Sequence, residues 1–259
     1  MPSVDPKGCL LKASFNADSE EWSDPSYLVY GEMGPGAKSP SKLAASAVDD
    51  NLTDLLWVTA SGRVHGERTT DDDLYGQIYG FWDEGVDAVN AAPTSALATL
   101  VTARVGTRLW WITPQESIQM AVRPGGRNDK NKWHISIVAG PKSAATNSDL
   151  AAVSISPDDL RIWWFNPANK LMCARALSTT ELKPQWSFVD SMPVVESRTE
   201  SRQTLVAHAI DLSEGARGVQ VWYVGKDNKA NSLTWEANPK AVNAAPNSNR
   251  STTDDWIPE

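Results

Sequence analysis

The 259-residue sequence predicts an all-β protein, a β-propeller with five blades of which the N-terminal blade is incomplete. Three observations carry this prediction: strand-like segments recur in a fixed order, turn signals separate them, and helical periodicity is nearly absent. The repeats are Leu43–Arg68, Leu97–Val122, Leu150–Ala176 and Leu205–Glu236. Their anchoring tryptophans, Trp57, Trp110, Trp163 and Trp222, are 53, 53 and 59 residues apart. A period of this length built from strands is typical of propellers.

The third repeat shows the pattern most clearly. Turn signals at Asp158-Asp159 and Asn166-Pro167 separate three strand-like runs. In the middle run Arg161 and Trp163 fall on one face, and Trp164 falls on the other, because side chains alternate along a strand. The carboxylates of the first turn are expected to be solvated there.

The repeats predict a single domain that spans residues 1–259. In chain order, a partial repeat covers 1–36, and full repeats cover about 43–89, 97–138, 150–192 and 205–259. Closure of the ring removes exposed sheet edges, and six full blades would need a longer chain. The last repeat carries an insertion, Pro239–Thr253, which is rich in Asn, Pro and Ala.

The charge and the termini bear on partners and location. The net charge is −8 and no basic run occurs, which argues against binding to nucleic acid or to anionic membranes. No apolar run approaches the length of a membrane span, and the first residues lack a signal-peptide pattern. We therefore expect a cytoplasmic protein, with a non-classical export route left open.

The sequence indicates no metal and no cofactor. Cys9 and Cys173 are too few for a disulfide framework, and we expect two unpaired thiols. The three histidines, His65, His134 and His208, have no metal-ligand spacing. P-loop, dinucleotide and nucleophile-elbow motifs are missing from the sequence.

One blade pattern resembles a known family. The stretch Arg161-Ile162-Trp163-Trp164, then the turn Asn166–Lys170, then Trp186, resembles the blade repeat of fungal fucose-specific lectins. The resemblance covers most of residues 43–192 and, more loosely, the fourth repeat. It implies a β-propeller with sugar pockets between adjacent blades. In such a pocket an Arg and a Glu would hydrogen-bond the sugar hydroxyls while an aromatic ring stacks on the apolar face.

The chain departs from that pattern at the polar positions. We place the family's Arg at Arg108 and Arg161, with Leu55 and Gln220 in the first and fourth repeats. The Glu position is assigned to Gly66, Met120, Cys173 and Trp235, and Glu67 and Glu236 come one place late. A shift of one residue turns a side chain to the other face of a strand. A buried sugar hydroxyl without its acceptor loses about 1–3 kcal/mol, so ordinary fucose binding is not favoured.

The candidate catalytic residues are Arg108, Arg161, His65 and His134, which could donate a hydrogen bond to a ligand carbonyl or anion. For the two arginines, a structural contact between blades is the alternative. His208 lies on a predicted innermost strand, where we expect it to be buried.

The candidate ligand-binding residues are all aromatic. They are Trp57, Trp82, Trp110, Trp111, Trp133, Trp163, Trp164, Trp186, Trp222 and Tyr223. Each adjacent aromatic pair places one ring on each strand face, so one ring belongs to the core and the other is left for a pocket. For Trp82, Trp133 and Trp186, core packing is the alternative.

Loss of the Glu favours an apolar ligand, and the leading hypothesis is a cofactor-free biosynthetic catalyst. It would bind a polyketide or terpenoid and accelerate a cyclisation or a cycloaddition of the hetero-Diels–Alder type by holding the reactants in near-attack geometry. The alternative is a carbohydrate-binding lectin without enzymatic activity, and a third hypothesis is a protein-interaction domain. The expected partner is a small-molecule or saccharide ligand, and a homodimer is a further expectation. Several equivalent pockets would favour the lectin, and one dominant pocket would favour the catalyst.

Overall fold

The computed structural model describes only part of the chain. The described residues are 2–4, 10–12, 15–16, 19–22, 24, 26–27, 43–49, 52–58, 62–70, 90–102, 106–123, 133–156, 159–177, 181–189, 204–212, 217–236 and 256–258. Regular structure in these ranges consists entirely of β-strands, which confirms the all-β class. Within them, no helix could cross a membrane. Trp82 and Cys9, and the predicted insertion, lie outside the described residues.

The strands form antiparallel sheets in chain order. The N-terminal sheet contains β1 (Pro2–Val4), β2 (Leu10–Lys12) and β5 (Ser26–Tyr27), and β3 (Phe15–Asn16) pairs with β4 (Glu21–Trp22). We number the four larger sheets that follow from first to fourth. The first sheet contains β6 (Leu43–Asp49), β7 (Leu52–Val58) and β8 (Val64–Thr70). The second contains β9 (Leu97–Thr102), β10 (Gly106–Ile112), β11 (Ile118–Arg123) and β12 (His134–Ala139). The third contains β13 (Leu150–Ser156), β14 (Asp159–Phe165), β15 (Leu171–Ala176) and β16 (Ser187–Phe188). The fourth contains β17 (Leu205–Asp211), β18 (Arg217–Val224), β19 (Ala230–Glu236) and β20 (Trp256–Pro258).

The apolar core lies between successive sheets. Three clusters of buried side chains join the first sheet to the second, the second to the third, and the third to the fourth. The first strands β6, β9, β13 and β17 also contact one another in that order. Sheets that meet face to face with adjacent first strands have the arrangement of a β-propeller. The count of five blades stays a prediction.

Each pair of adjacent tryptophans contributes its two rings to two different clusters. Trp110 packs towards the third sheet and Trp111 towards the first, while Trp163 packs towards the fourth sheet and Trp164 towards the second. All four rings are fully buried. Both rings of each of these two pairs therefore belong to the core, where one ring was expected, because the second and third sheets are covered on both faces.

Strand pairing corrects the alignment of the first repeat. In the first, second and third sheets, the first residue of the first strand pairs with the last-but-one residue of the second strand: Leu43↔Trp57, Leu97↔Trp111 and Leu150↔Trp164. Trp57 is thus equivalent to Trp111 and not to Trp110. The position of Arg108 and Arg161 is consequently Asp54, and the assignment of Leu55 was wrong by one residue, which reverses the face.

The same reasoning corrects one position of the third strand. Trp110 pairs with Met120 and Trp163 pairs with Cys173, two of the residues assigned to the Glu position. In the fourth sheet Trp222 pairs with Ser232, so the equivalent residue is Ser232 and not Trp235. The apolar pattern suggested a later start because the first large apolar residue of β19 is Leu233.

The far face of the fourth sheet is exposed. Trp222, equivalent to the fully buried Trp110 and Trp163, is 41% exposed, and Val206 beside it is 53% exposed. His208 lies on this face and is exposed as well, so the expectation of a buried histidine was wrong. Its strand is innermost as predicted, but this side of the sheet is not covered.

Repeated turns connect the second and third strands. The segments Thr113–Ser117, Asn166–Lys170 and Gly225–Lys229 share the same pair of backbone hydrogen bonds. The fourth residue of each turn has a positive φ: 62° at Glu116, 58° at Asn169 and 62° at Asn228. Asn tolerates this left-handed conformation better than Glu does.

We expect Glu116→Asn to stabilise the protein by about 0.5–1 kcal/mol, because it places in the second sheet the residue that the other two turns use. Chemical denaturation monitored by tryptophan fluorescence measures the change. Gln115→Asn is the matched control, since Gln115 is exposed and has no positive φ. An equal gain from both substitutions would contradict the conformational explanation.

Candidate functional site

One register position recurs along the paired strands of the four sheets, and its second-strand side chains in the first three sheets, Asp54, Arg108 and Arg161, make contacts across the sheet interface or at its edge. We call it the inter-sheet row. Its members, from the first strand outwards, are Ser46, Asp54 and Arg68 in the first sheet; Leu100, Arg108, Val122 and His134 in the second; Val153, Arg161, Arg175 and Ser187 in the third; and His208, Gln220, Thr234 and Ile257 in the fourth. The second-strand member is the position of the predicted ligand-binding arginine.

Between the first and second sheets, the row forms a buried polar contact. Asp54 is fully buried, and its Oδ2 accepts a hydrogen bond of 2.6 Å from Thr107 Oγ1. Ser46 and Thr99 share a second hydrogen bond across the same interface, with 3.1 Å between their hydroxyl oxygens. A carboxylate therefore occupies the place where the family pattern has a guanidinium.

Between the second and third sheets, the row presents Arg108. This side chain is fully buried, and its Nη2 donates to the backbone oxygen of Glu181, 3.2 Å away. Its Nη1 also contacts Met120 Sδ at 3.8 Å. Burial lowers the pKa of Arg108 to about 10, so the guanidinium stays protonated at neutral pH. Arg108 thus anchors the segment that enters β16.

That segment carries two aromatic rings towards the second sheet. Trp186 is half-buried and lies edge-on to Trp110, with 6.5 Å between the ring centroids and 81° between their planes. Phe188, two residues on, is 47% exposed and meets Trp164 at 6.0 Å. We call Trp186 and Phe188 the aromatic rim. The buried Nε1 atoms of Trp110 and Trp186 have no acceptor among the described residues.

Between the third and fourth sheets, the row presents two arginines. Arg161 is fully buried, and its Nε and Nη2 donate to the carboxylate of Asp159 at 3.1 and 3.4 Å. Arg175 Nη2 donates to the same carboxylate at 2.8 Å. The guanidinium carbon of Arg161 lies 3.4 Å from the ring centroid of Trp235, which belongs to the fourth sheet. The indole therefore covers the flat face of this arginine.

The remaining candidates are placed as follows. His134 is half-buried at the outer end of its row, with Val122 between it and Arg108. His65 pairs with Trp57 through the backbone, and its side chain is outside the described part of the structure. Trp57 and Trp133 are buried in the core, and Tyr223 packs partly against the third sheet. Burial, and then the charge of Asp227, raise the pKa of Tyr223, so it remains a neutral phenol.

Sequence reasoning missed the role of Asp159. The expectation that this carboxylate is solvated in a turn was wrong: β14 begins with Asp159, which is 7% exposed. The signal was the spacing to Arg161, since residues two apart on a strand share a face. The contribution of Arg175 depends on strand pairing and has no local signal. In the described ranges, no group of three ligating side chains could hold a metal ion.

Several solved lectins have a similar arrangement. SapL1 lectin, solved with α-methyl fucoside, matches with a TM-score of 0.67 and 14% identity, over 100% of this chain and 74% of that chain. BP39L lectin from Burkholderia pseudomallei matches at 0.66 and 15%, over 90% and 61%. The lectin of Aleuria aurantia, described as a six-bladed β-propeller, matches at 0.64 and 15%, over 92% and 73%.

The chain has the β-propeller fold of these lectins. The resemblance to fucose-specific lectins is thereby confirmed at the level of the fold. Sequence identities of 14–15% show a shared fold alone. No protein-family model matches the chain, and no curated protein matches its sequence.

Proposed function

We propose that the protein is a saccharide-binding β-propeller whose specificity differs from that of a fucose lectin. The observation that carries the proposal is the aromatic rim: Trp186 and Phe188 lie on one face of the outer segment of the third sheet and remain partly exposed. Aromatic rings in this position offer an apolar surface to the C–H face of a sugar.

Arg108 acts in this proposal as a positioning residue. It is fully buried, so a ligand does not reach it in this arrangement, but its bond to the Glu181 oxygen holds the segment that carries Trp186. The position opposite Trp110 is Met120, which lacks the carboxylate of the family pattern. A sugar bound here would therefore rely on stacking and on neutral hydrogen bonds.

The lectin-type fold of the solved relatives favours this function over the cofactor-free catalyst expected from the sequence. The described residues also give the two inter-sheet arginines protein partners, whereas carbonyl polarisation requires a donor directed at the substrate. A cytoplasmic location, a homodimer and a count of five blades remain proposals.

Titration with methyl α-fucoside and a panel of neutral monosaccharides, followed by tryptophan fluorescence, tests the proposal. We expect saturable quenching by at least one sugar. Trp186→Ala should weaken binding by at least about tenfold, which corresponds to about 1.4 kcal/mol. Phe188→Leu, which keeps an apolar side chain, should weaken it less.

The matched control is Trp222→Ala, because Trp222 is also partly exposed but lies on the far face of the fourth sheet. It should leave sugar affinity unchanged. Quenching by apolar polyketides or terpenoids at one site, with no response to any sugar, would replace the lectin proposal with the catalyst.

A further inference from the structure

The outer edge of the second sheet is an open strand. Among the described strands, β12 (His134–Ala139) pairs only with β11, so its other side presents backbone N–H and C=O groups outwards. The strand is six residues long and contains no charged residue and no Pro. Proteins usually shorten or charge such an edge, or place Pro on it, because an unprotected edge pairs with another strand.

The outer strands of the other three numbered sheets carry these protections. β8, the last described strand of the first sheet, contains Glu67 and Arg68. β16 contains only two residues, and β20 contains three and ends at Pro258. In the part of the chain that the structure describes, β12 is therefore the outer strand of these sheets that combines several residues with the absence of charge and Pro.

The edge also carries an apolar side chain that its own sheet leaves uncovered. Ile137 is 65% exposed, more than any other large apolar side chain among the described residues. It shares a face with Ile135, because residues two apart on a strand point to the same side. Ile135 packs partly against the core between the first and second sheets. The two isoleucines thus form a short apolar strip along the open edge.

Strand register defines the usable length of this edge. His134–Ile137 pairs regularly with β11, and the register then shifts, which leaves Val138 as an extra residue. A bulge of this kind bends the strand. The straight part of the edge therefore ends at Ile137, and it is long enough for three directly opposed residue pairs centred on Ser136.

We propose that β12 pairs with β12 of a second copy of this chain, antiparallel and about a two-fold axis at Ser136. Opposed residues of an antiparallel pair lie on the same face, so the axis must place one residue opposite itself. With the axis at Ser136, Ile135 lies opposite Ile137 of the partner subunit, and Ile137 lies opposite Ile135 of the partner subunit. Each exposed isoleucine gains a β-branched neighbour, which favours pairing.

The charge of the strand suits a second copy of itself. Because β12 is uncharged, the pairing places no like charges opposite each other. The whole chain has a net charge of −8, so two copies repel at long range, and salt should strengthen their association by screening. One strand pair is a small interface, for which we expect a dissociation constant of about 10–100 μM. The inference gives a surface to the homodimer and does not depend on saccharide binding.

Sedimentation velocity of the full chain at increasing concentration, in low and high salt, tests the inference. We expect a monomer–dimer equilibrium that tightens as salt is added. Ile137→Lys should weaken dimerisation at least about tenfold, because it places a charge on the paired edge. Leu177→Lys is the matched control: Leu177 is 62% exposed, follows β15 in the third sheet, and acquires the same charge. It should leave the dissociation constant nearly unchanged.

Cysteine pairs test the register. A mixture of the variants Ile135→Cys and Ile137→Cys, oxidised with diamide, should form a disulfide-linked dimer, since these positions lie directly opposite each other across the axis. The diamide takes up the two electrons and two protons that the thiols lose. Either variant oxidised by itself should cross-link much less, because its two cysteines lie diagonally, at about 7–8 Å or more. The wild-type protein controls for the native cysteines.

Three results would overturn the inference. The first is a wild-type protein that remains a monomer at about 500 μM, well above the expected dissociation constant. The second is a dimer that Ile137→Lys and Leu177→Lys affect equally while both variants keep the far-UV circular dichroism of the wild type. The third is a dimer that Trp222→Lys abolishes and Ile137→Lys does not, which would assign the contact to the far face of the fourth sheet. Failure of every sugar to bind would overturn the proposed function and leave this inference intact.

Discussion

Trp163→Ala is expected to lower the free energy of unfolding by about 3–5 kcal/mol, the range for truncation of a buried Trp to Ala. The ring is fully buried between the third and fourth sheets. Its removal leaves a cavity in a cluster that joins two sheets, so the fourth sheet loses packing as well. Guanidinium denaturation followed by far-UV circular dichroism measures the change without relying on the deleted chromophore.

Trp222→Ala provides the comparison at the same register position of the fourth sheet. Since Trp222 is 41% exposed, we expect a loss of at most about 1 kcal/mol. A loss as large as that of Trp163→Ala would show that the far face of the fourth sheet is covered in solution. Dependence of that loss on protein concentration would then identify a second copy of the chain as the cover.

The fold could be predicted because its signals are local and repeated. Alternating apolar residues, turn residues and a spacing near 53 residues recur along the chain, and each recurrence supports the same strand order. The error of one residue in the first repeat has a physical origin: neighbouring sheets carry two adjacent aromatic residues, and the first repeat carries only Trp57. Hydrophobicity alone does not tell which of the two rings is equivalent to it.

The candidate site was harder to predict because its partners come from distant parts of the chain. The strand pattern identified Arg108 and Arg161 as candidate site residues. Their observed partners fit the alternative interpretation, which is a structural contact between blades. The Glu181 oxygen follows Arg108 by 73 residues, and Trp235 follows Arg161 by 74 residues. Contacts of this kind depend on sheet-to-sheet packing, which periodicity within one strand does not encode.

Asp159→Ala is expected to destabilise the protein by about 3–5 kcal/mol, because removal of one partner from a buried ion pair is strongly destabilising. Arg161 is fully buried and would lose both hydrogen bonds to the carboxylate, while Arg175 would lose its bond of 2.8 Å. Asp211→Ala is the matched control: it breaks the exposed pair with Arg217 and should change stability by about 0.5 kcal/mol or less. Equal effects of the two substitutions, measured by chemical denaturation, would contradict the description of Asp159 as a buried ion-pair partner.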